Sequence, residues 1–309
     1  MKKVISFGII MLFLSTCFST TATTDKSNNY PSFGGNILYV GGSGPGNYST
    51  IQAAVENASD GDTVFVYHGF YPQEYDIKGS IDITKSINLV GEEKHTTIVN
   101  GTMGALVCIE GLSVNLSGFT FQNGSPLVEV GRHGGSGDVR EANIYDNIFL
   151  DASDFAIIAW KGTVTISNNT LSNDCWGIHF RNSKGSIVNN RITDCNVGID
   201  LLDSRCQVHR NLIQGTSVGI STASWALVSE NNFIQNGRDA EFANLLFLYA
   251  ITRPLYWHNY WDDWKSPSPR PIPGSFSIMF NHISGIGPFP RVCFDWHPAQ
   301  KPYKISGMR

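Results

Sequence analysis

Asn169, Asn190, Asn211 and Asn232 follow one another at steps of 21 residues, and each is followed two positions later by an aliphatic residue: Leu171, Ile192, Ile213 and Ile234. A second series, Gly177-Ile178, Gly198-Ile199 and Gly219-Ile220, keeps the same step, as does a third, Ile166, Ile187 and Val208. One repeat earlier, Asn147-Ile148-Phe149 and Ala156-Ile157 fit after a one-residue insertion. No other feature constrains the fold as tightly. A unit this short cannot bury its own apolar face and must stack on copies of itself. It suits three short strands joined by turns, each strand pairing with its counterpart one coil away at about 4.8 Å. Ile178, Ile199 and Ile220 then form an internal column, and the Asn series forms a ladder of stacked amides. Glycine ahead of each Ile points to positive φ or to close backbone approach. Helical periodicity within the repeat is absent, which excludes an α-solenoid. The predicted fold is all-β, a right-handed parallel β-helix with about 21 residues per coil, clearest from Asn143 to Gln235.

A stacked sheet needs both ends covered, or its open edges recruit other chains. Four segments follow: a signal peptide (1–24), an N-terminal cap with the first coils (25–110), the repeats (111–240), and a C-terminal cap and tail (241–309). In the N-terminal cap, Ser49 to Val55 has the apolar spacing of one short helix of about three turns. The C-terminal segment is aromatic-dense from Tyr256 to Trp264 and Pro-rich from Pro267 to Pro273. Its aromatic run serves either as a plug for the last coil or as a platform for sugar rings. Gly131 to Glu141 reads as an inserted loop.

Positive Lys2 and Lys3, the apolar stretch Val4 to Leu14 and the small residues after it form an export signal, with cleavage expected between Ala22 and Asp25. Cys17 within Leu-Ser-Thr-Cys is a distant match to a lipid-anchor site. No later apolar stretch is long enough to cross a bilayer as a helix, and Leu245 to Ile251 suits a core. The protein is therefore expected to be exported: extracellular, on the cell surface or periplasmic. A net charge of −4 without a basic run argues against nucleic-acid binding. Five cysteines follow Cys17 with no C-x-x-C pair, which speaks against zinc. Cys175 and Cys195 fall on neighbouring coils and are the one disulfide to consider; otherwise the thiols are buried apolar groups. Asn-x-Ser/Thr sequons stand at Asn47, Asn57, Asn100, Asn115, Asn123 and Asn168.

The segment YSTIQAAVENASDGDTVFVYHGFYPQEYDIKGSIDITKSINLVGEEKHTTIVNG resembles the start of pectin-lyase-like β-helix proteins. The nearest group is the one that includes NosD-type periplasmic copper-accessory proteins and carbohydrate-binding and sugar-hydrolase domains. The Asn-x-Ile and Gly-Ile coils are similar to the same group, NYWDDW resembles a motif near the end of NosD-type proteins, and FDWHPAQKPY resembles the close of archaeal surface members. The resemblance implies the β-helix fold and leaves activity open, because this fold carries lyases, hydrolases, epimerases and non-enzymes.

Strand alternation sends Ile178 and Phe180 inward and His179 and Arg181 outward. Asp200 occupies the place of His179 one coil on, Asp203 lies at the following turn, and Trp160 is level with Arg181. Trp160, His179, Arg181, Asp200 and Asp203 therefore gather on one outer face. An aromatic ring beside charged groups suits a sugar; equally, stacked surface pairs would only steady the solenoid. A His near a carboxylate also suits proton abstraction. The paired aspartates with Gln and Arg of pectin methylesterases, a pectate-lyase-like Asp cluster and a close carboxylate pair for glycoside hydrolysis are not evident. The eight His are scattered and Met is scarce, so no soft-ligand cluster for Cu(I) stands out. No cofactor is predicted, with copper and calcium left open. The expectation is polysaccharide or cell-surface glycan binding without catalysis. The rivals are a polysaccharide lyase, epimerase or hydrolase, a copper-accessory protein, and a purely structural surface protein.

Overall fold

The computed structural model describes residues 35–73, 79–102, 104–131, 141–247, 250–251, 254–279 and 285–305. The signal peptide, Cys17 and the interior of the Gly131–Glu141 loop lie outside the described residues.

Each central coil consists of one long bent strand and one short strand. Phe155–Ser167, Trp176–Val188 and Val197–His209 span 13 residues each, and Thr170–Ser172, Arg191–Thr193 and Leu212–Gln214 span three. Every coil pairs in parallel with the next. Ile157, Ile178, Ile199 and Ile220 align in one column, and Ile166, Ile187, Val208 and Val228 in another. Both columns are buried. The long strands form a 17-stranded sheet and the short strands a nine-stranded one, the two faces of a right-handed β-helix. Lys161, Asn182 and Asp203 take positive φ (79°, 52° and 50°) where the long strand bends, and Asn168, Asn189 and Arg210 do so at the next corner. Asn and Asp tolerate this region best among non-glycine residues, which accounts for much of the Asn richness. At Gly177 the reason for glycine is close approach: a Cβ there would lie 2.6 Å from the Gly198 carbonyl oxygen.

The buried amide ladder runs through Asn147, Asn169, Asn190, Asn211, Asn231 and Asn259. The backbone N–H of each donates to the side-chain Oδ1 of the next at 2.9–3.1 Å. Asn232 is therefore not a member, contrary to the 21-residue extrapolation. The strand Val218–Ser229 has 12 residues rather than 13, because the chain takes one residue fewer at the bend opposite Leu202–Arg205. That single deletion moves Asn231 into the ladder and puts Phe233, not Ile234, in the column of Ile213. Asn232 instead fastens the C-terminal tail, exchanging hydrogen bonds of 2.9 and 2.8 Å with the Tyr303 backbone.

At the N-terminal end, helix α1 (Ile51–Asn57) is two turns long rather than three and starts two residues later than expected, at the point where Thr50 caps it by accepting from the Ala53 N–H. It buries Ile51, Ala54 and Val55 over the first coil. At the other end Trp261, fully buried, stacks on Phe233 with centroids 4.4 Å apart, and Tyr256 is buried beside it. Trp261 and Tyr256 thus fill the end of the last coil, whereas Trp257 of the same run is 45% exposed. Arg270–Met279 and Gly285–Asp295 then form an antiparallel hairpin, unexpected from a segment with prolines at 271, 273, 288 and 290.

Among the described residues no disulfide forms at Cys108, Cys175, Cys195, Cys206 or Cys293, so Cys175 and Cys195 are not bridged. Burial pushes the Cys195 thiol up to about 12 and Cys206 higher still, which keeps both protonated and unreactive. Asn115 is buried between Asn88 and Asn143, bonded to them at 2.8 and 2.9 Å, so its sequon is not accessible in the fold.

Candidate functional site

Along one flank of the solenoid the outward positions of the long strands align in columns. One column is Phe155, Trp176 and Val197; a second is Ile158, His179, Asp200, Ser221 and Glu241; a third is Trp160, Arg181, Leu202 and Ala223. Ile178 and Phe180 point into the core between them, as strand alternation requires. Four of the five residues picked out by the sequence thus meet here. His179 Nδ1 stands 2.7 Å from Asp200 Oδ2. The contact is close but does not have the geometry of a hydrogen bond. Although outward, His179 is only 7% exposed. Phe155, Trp176 and Trp160 wall it in, with ring centroids 5.1, 6.0 and 6.3 Å from its own. The Arg181 guanidinium lies over the Trp160 ring at 5.4 Å. Asp203 stays at the exposed bend beside Leu202.

Sequence reasoning missed two members of this group, Phe155 and Trp176. They were legible as the residues that open successive long strands, one coil apart. It also missed Asp154, just before Phe155. Burial raises the Asp154 carboxyl above its ordinary range, and His179 opposes that rise.

Toward the C-terminal end the face deepens into a cleft of about 360 Å³, lined by Ser221, Arg238, Glu241, Phe242, Gly274 and Ser275. Glu241 continues the His179–Asp200–Ser221 column into it, and Arg238 pairs with Glu241 at its wall. The third column meanwhile narrows toward this end, from Trp160 and Arg181 to Leu202 and Ala223.

A second grouping lies at the last coil. Asp295, fully buried, accepts from the backbone N–H groups of His258 (3.1 Å), Asn259 (2.9 Å) and His297 (3.2 Å). This clamp sets His258 and His297 side by side, with perpendicular rings 5.8 Å apart. Trp257 packs on both, at 5.1 and 4.5 Å. The two histidines are 39 residues apart in sequence, which hid the pair; the repeated Trp-His dipeptide, Trp257-His258 and Trp296-His297, was the available signal. Asp239, Asp262 and Asp263 form the one carboxylate cluster of metal-ligand spacing among the described residues. Arg270 is already seated against it, pairing with Asp239 at 2.9 Å and with Asp263 and lying over Trp261 at 4.5 Å, while Asp262 accepts from the Gln235 N–H at 2.8 Å. That cluster belongs to the cap.

The family model described as "Periplasmic copper-binding protein (NosD)" matches residues 55–265. The chain belongs to the NosD family. Curated proteins yield no match. Among solved structures, pectate lyase Pel9A is similar with a TM-score of 0.51 at 13% identity, over 68% of this chain and 75% of that one. The A-module of mannuronan C-5 epimerase AlgE6 of Azotobacter vinelandii gives 0.40 at 14% identity, over 73% and 82%. At these identities the first likeness speaks for the shared β-helix alone. The NosD family is periplasmic by its description, and no helix among the described residues is long and apolar enough to cross a membrane.

Proposed function

We propose that this NosD-family protein is exported and binds a polysaccharide or cell-surface glycan along the flank that carries Trp160, His179, Arg181 and Asp200, without catalysing a reaction on it. The observation that carries this reading is the aromatic wall of Phe155, Trp160 and Trp176 around a polar His–Asp pair, on a flat sheet of parallel strands. A pyranose offers an apolar face for the rings and peripheral hydroxyls for the polar groups. Trp160→Ala is expected to weaken glycan binding at least tenfold, measured by calorimetry or affinity electrophoresis on the polysaccharide that binds best, and to leave the melting temperature nearly unchanged. Unaltered binding in that variant would remove the face from consideration. Product formation that Asp200→Asn abolishes would replace the binding reading with an enzyme.

A second reading rests on a separate observation, the His258–His297 pair. Imidazoles suit copper, and two of them on one ion, each with a bond of about 2 Å, stand with centroids on the order of 5–6 Å apart. The rings observed here are 5.8 Å apart, and the backbone that carries both is anchored on Asp295. The expected result is one copper ion per chain in a titration of the purified protein, lost in the His258→Ala/His297→Ala double variant and kept in Trp160→Ala. A flat titration of the wild type would dispose of it.

A further inference from the structure

Past the bend, the long sheet presents a second outward face that is built differently from the glycan flank. Two of its columns keep register over ten rows without a break. One runs from Ile37 through Asn88, Asn115 and Asn143 to Leu255, the other from Tyr39 through Tyr145 to Trp257. None of these twenty positions is Asp, Glu, Lys or Arg, although such residues make up 16% of the chain and favour outward places. His209 is the one imidazole among them, and burial pulls its pKa down, which keeps the ring neutral. The middle of the face is polar. Asn143 donates to Asn115 at 2.9 Å, Asn115 to Asn88 at 2.8 Å, and Asn88 to Thr63 at 3.1 Å. The ends are apolar. Ile37 and Tyr39 in the first row and Leu255 and Trp257 in the last are exposed, with Phe65 and Leu227 one row inside them.

This order of apolar, polar and apolar rows is its own complement when the face is turned end for end. A two-fold axis between the Asn143 row and the Thr165 row lays Ile37 on Leu255 and Tyr39 on Trp257 of a second copy, at both ends at once. Across the axis itself Asn143 meets Thr165 and Tyr145 meets Ser167, amide and phenol against hydroxyl. Such an arrangement is isologous and closes at two chains. The exposed apolar ends are covered, and no charge is desolvated between the columns. Nine steps of about 4.8 Å along columns about 7 Å apart give on the order of 500 Å² a side. The total of about 1,000 Å² meets the lower bound for a specific interface, which suits a dimer of micromolar strength.

We propose that this face is a homodimer interface on which a second copy of the chain lies antiparallel, leaving the glycan flank open. Sedimentation of the mature protein between about 1 and about 100 µM tests it. The expected result is a monomer–dimer equilibrium within that range. Thr165→Arg sets two like charges against each other beside the axis and should raise the dissociation constant roughly tenfold or more, with the melting temperature near that of the wild type. Ile37→Cys and Leu255→Cys, mixed and oxidised beside a wild-type blank, should cross-link to each other and neither to itself. A wild type that stays monomeric over the whole range overturns the proposal, as does a dimer that Thr165→Arg leaves intact. Self-cross-linking of Ile37→Cys would overturn the antiparallel arrangement. A monomer that loses glycan binding in Thr165→Arg would assign the face to a sugar polymer instead.

Discussion

Asp295→Leu is expected to lower the stability of the last coil by about 4 kcal/mol, the range for stripping a buried acceptor from several donors at once. The Asn259 N–H and Nδ2 and the Trp261 Nε1 all donate to its Oδ2, at 2.9, 3.1 and 3.1 Å, while the His258 and His297 N–H groups use Oδ1. Leucine leaves five donors facing an apolar side chain. The amide ladder explains why an acid stands there. Each Asn gives its N–H groups to the Oδ1 of the following coil, so the last Asn needs a group that only accepts. Hydrogen exchange should show the loss concentrated at residues 256–261 and 295–297, because coils of a solenoid answer mainly to their neighbours. A change below about 1 kcal/mol in denaturant unfolding would mean that water replaces the carboxylate readily.

The second large effect runs the other way. Asp174→Asn is expected to stabilise the protein at pH 8 by on the order of 4 kcal/mol. Asp174 is buried at the corner where the short strand turns into the next long one, and its Oδ1 accepts from the Ala152 N–H at 2.8 Å. Its Oδ2 has no hydrogen-bond partner among the described residues. Burial pushes the carboxyl up to about 8 from an ordinary 3.8. The folded state therefore holds a proton that the unfolded chain gives up. Stability from this site is full below pH about 4 and falls by about 1.4 kcal/mol per unit as pH rises toward 8. Asparagine cannot ionise, and Asn236 already fills the same role three coils further on, accepting from the Thr216 N–H at 3.0 Å and donating to the Ile213 carbonyl at 3.1 Å. Unfolding curves at pH 4 and pH 8 decide the matter. The variant should lie near the wild type at pH 4 and well above it at pH 8; equal slopes for the two proteins would mean Asp174 is solvated and ionised.

The coil architecture was legible because stacking forces identical positions to carry identical chemistry, and Ile178, Ile199 and Ile220 satisfy that constraint without interruption. The register failed only at Asn232, where a bend one residue shorter is invisible to any fixed period. On the flank, alternation placed Trp160, His179, Arg181 and Asp200 correctly. It did not foresee that His179 would be nearly enclosed, since enclosure comes from the rings of Phe155 and Trp176 leaning over a neighbouring rung. The clamp at Asp295 lay beyond sequence reasoning for another reason. Its donors come from residues 258–261 and 297, joined by a hairpin whose prolines mask its strands.

The alignment of outer columns with the coil repeat gives this protein a metric. Each coil contributes one row of side chains, and rows are added or lost only in whole numbers. A variant lacking one complete coil, with its Asn and its Gly-Ile intact on either side, would keep the same cross-section and the same closing acid. Its outer face would be shorter by a single step. Length along the axis and chemistry across it are thus independent variables in this chain, and selection can change either without disturbing the other.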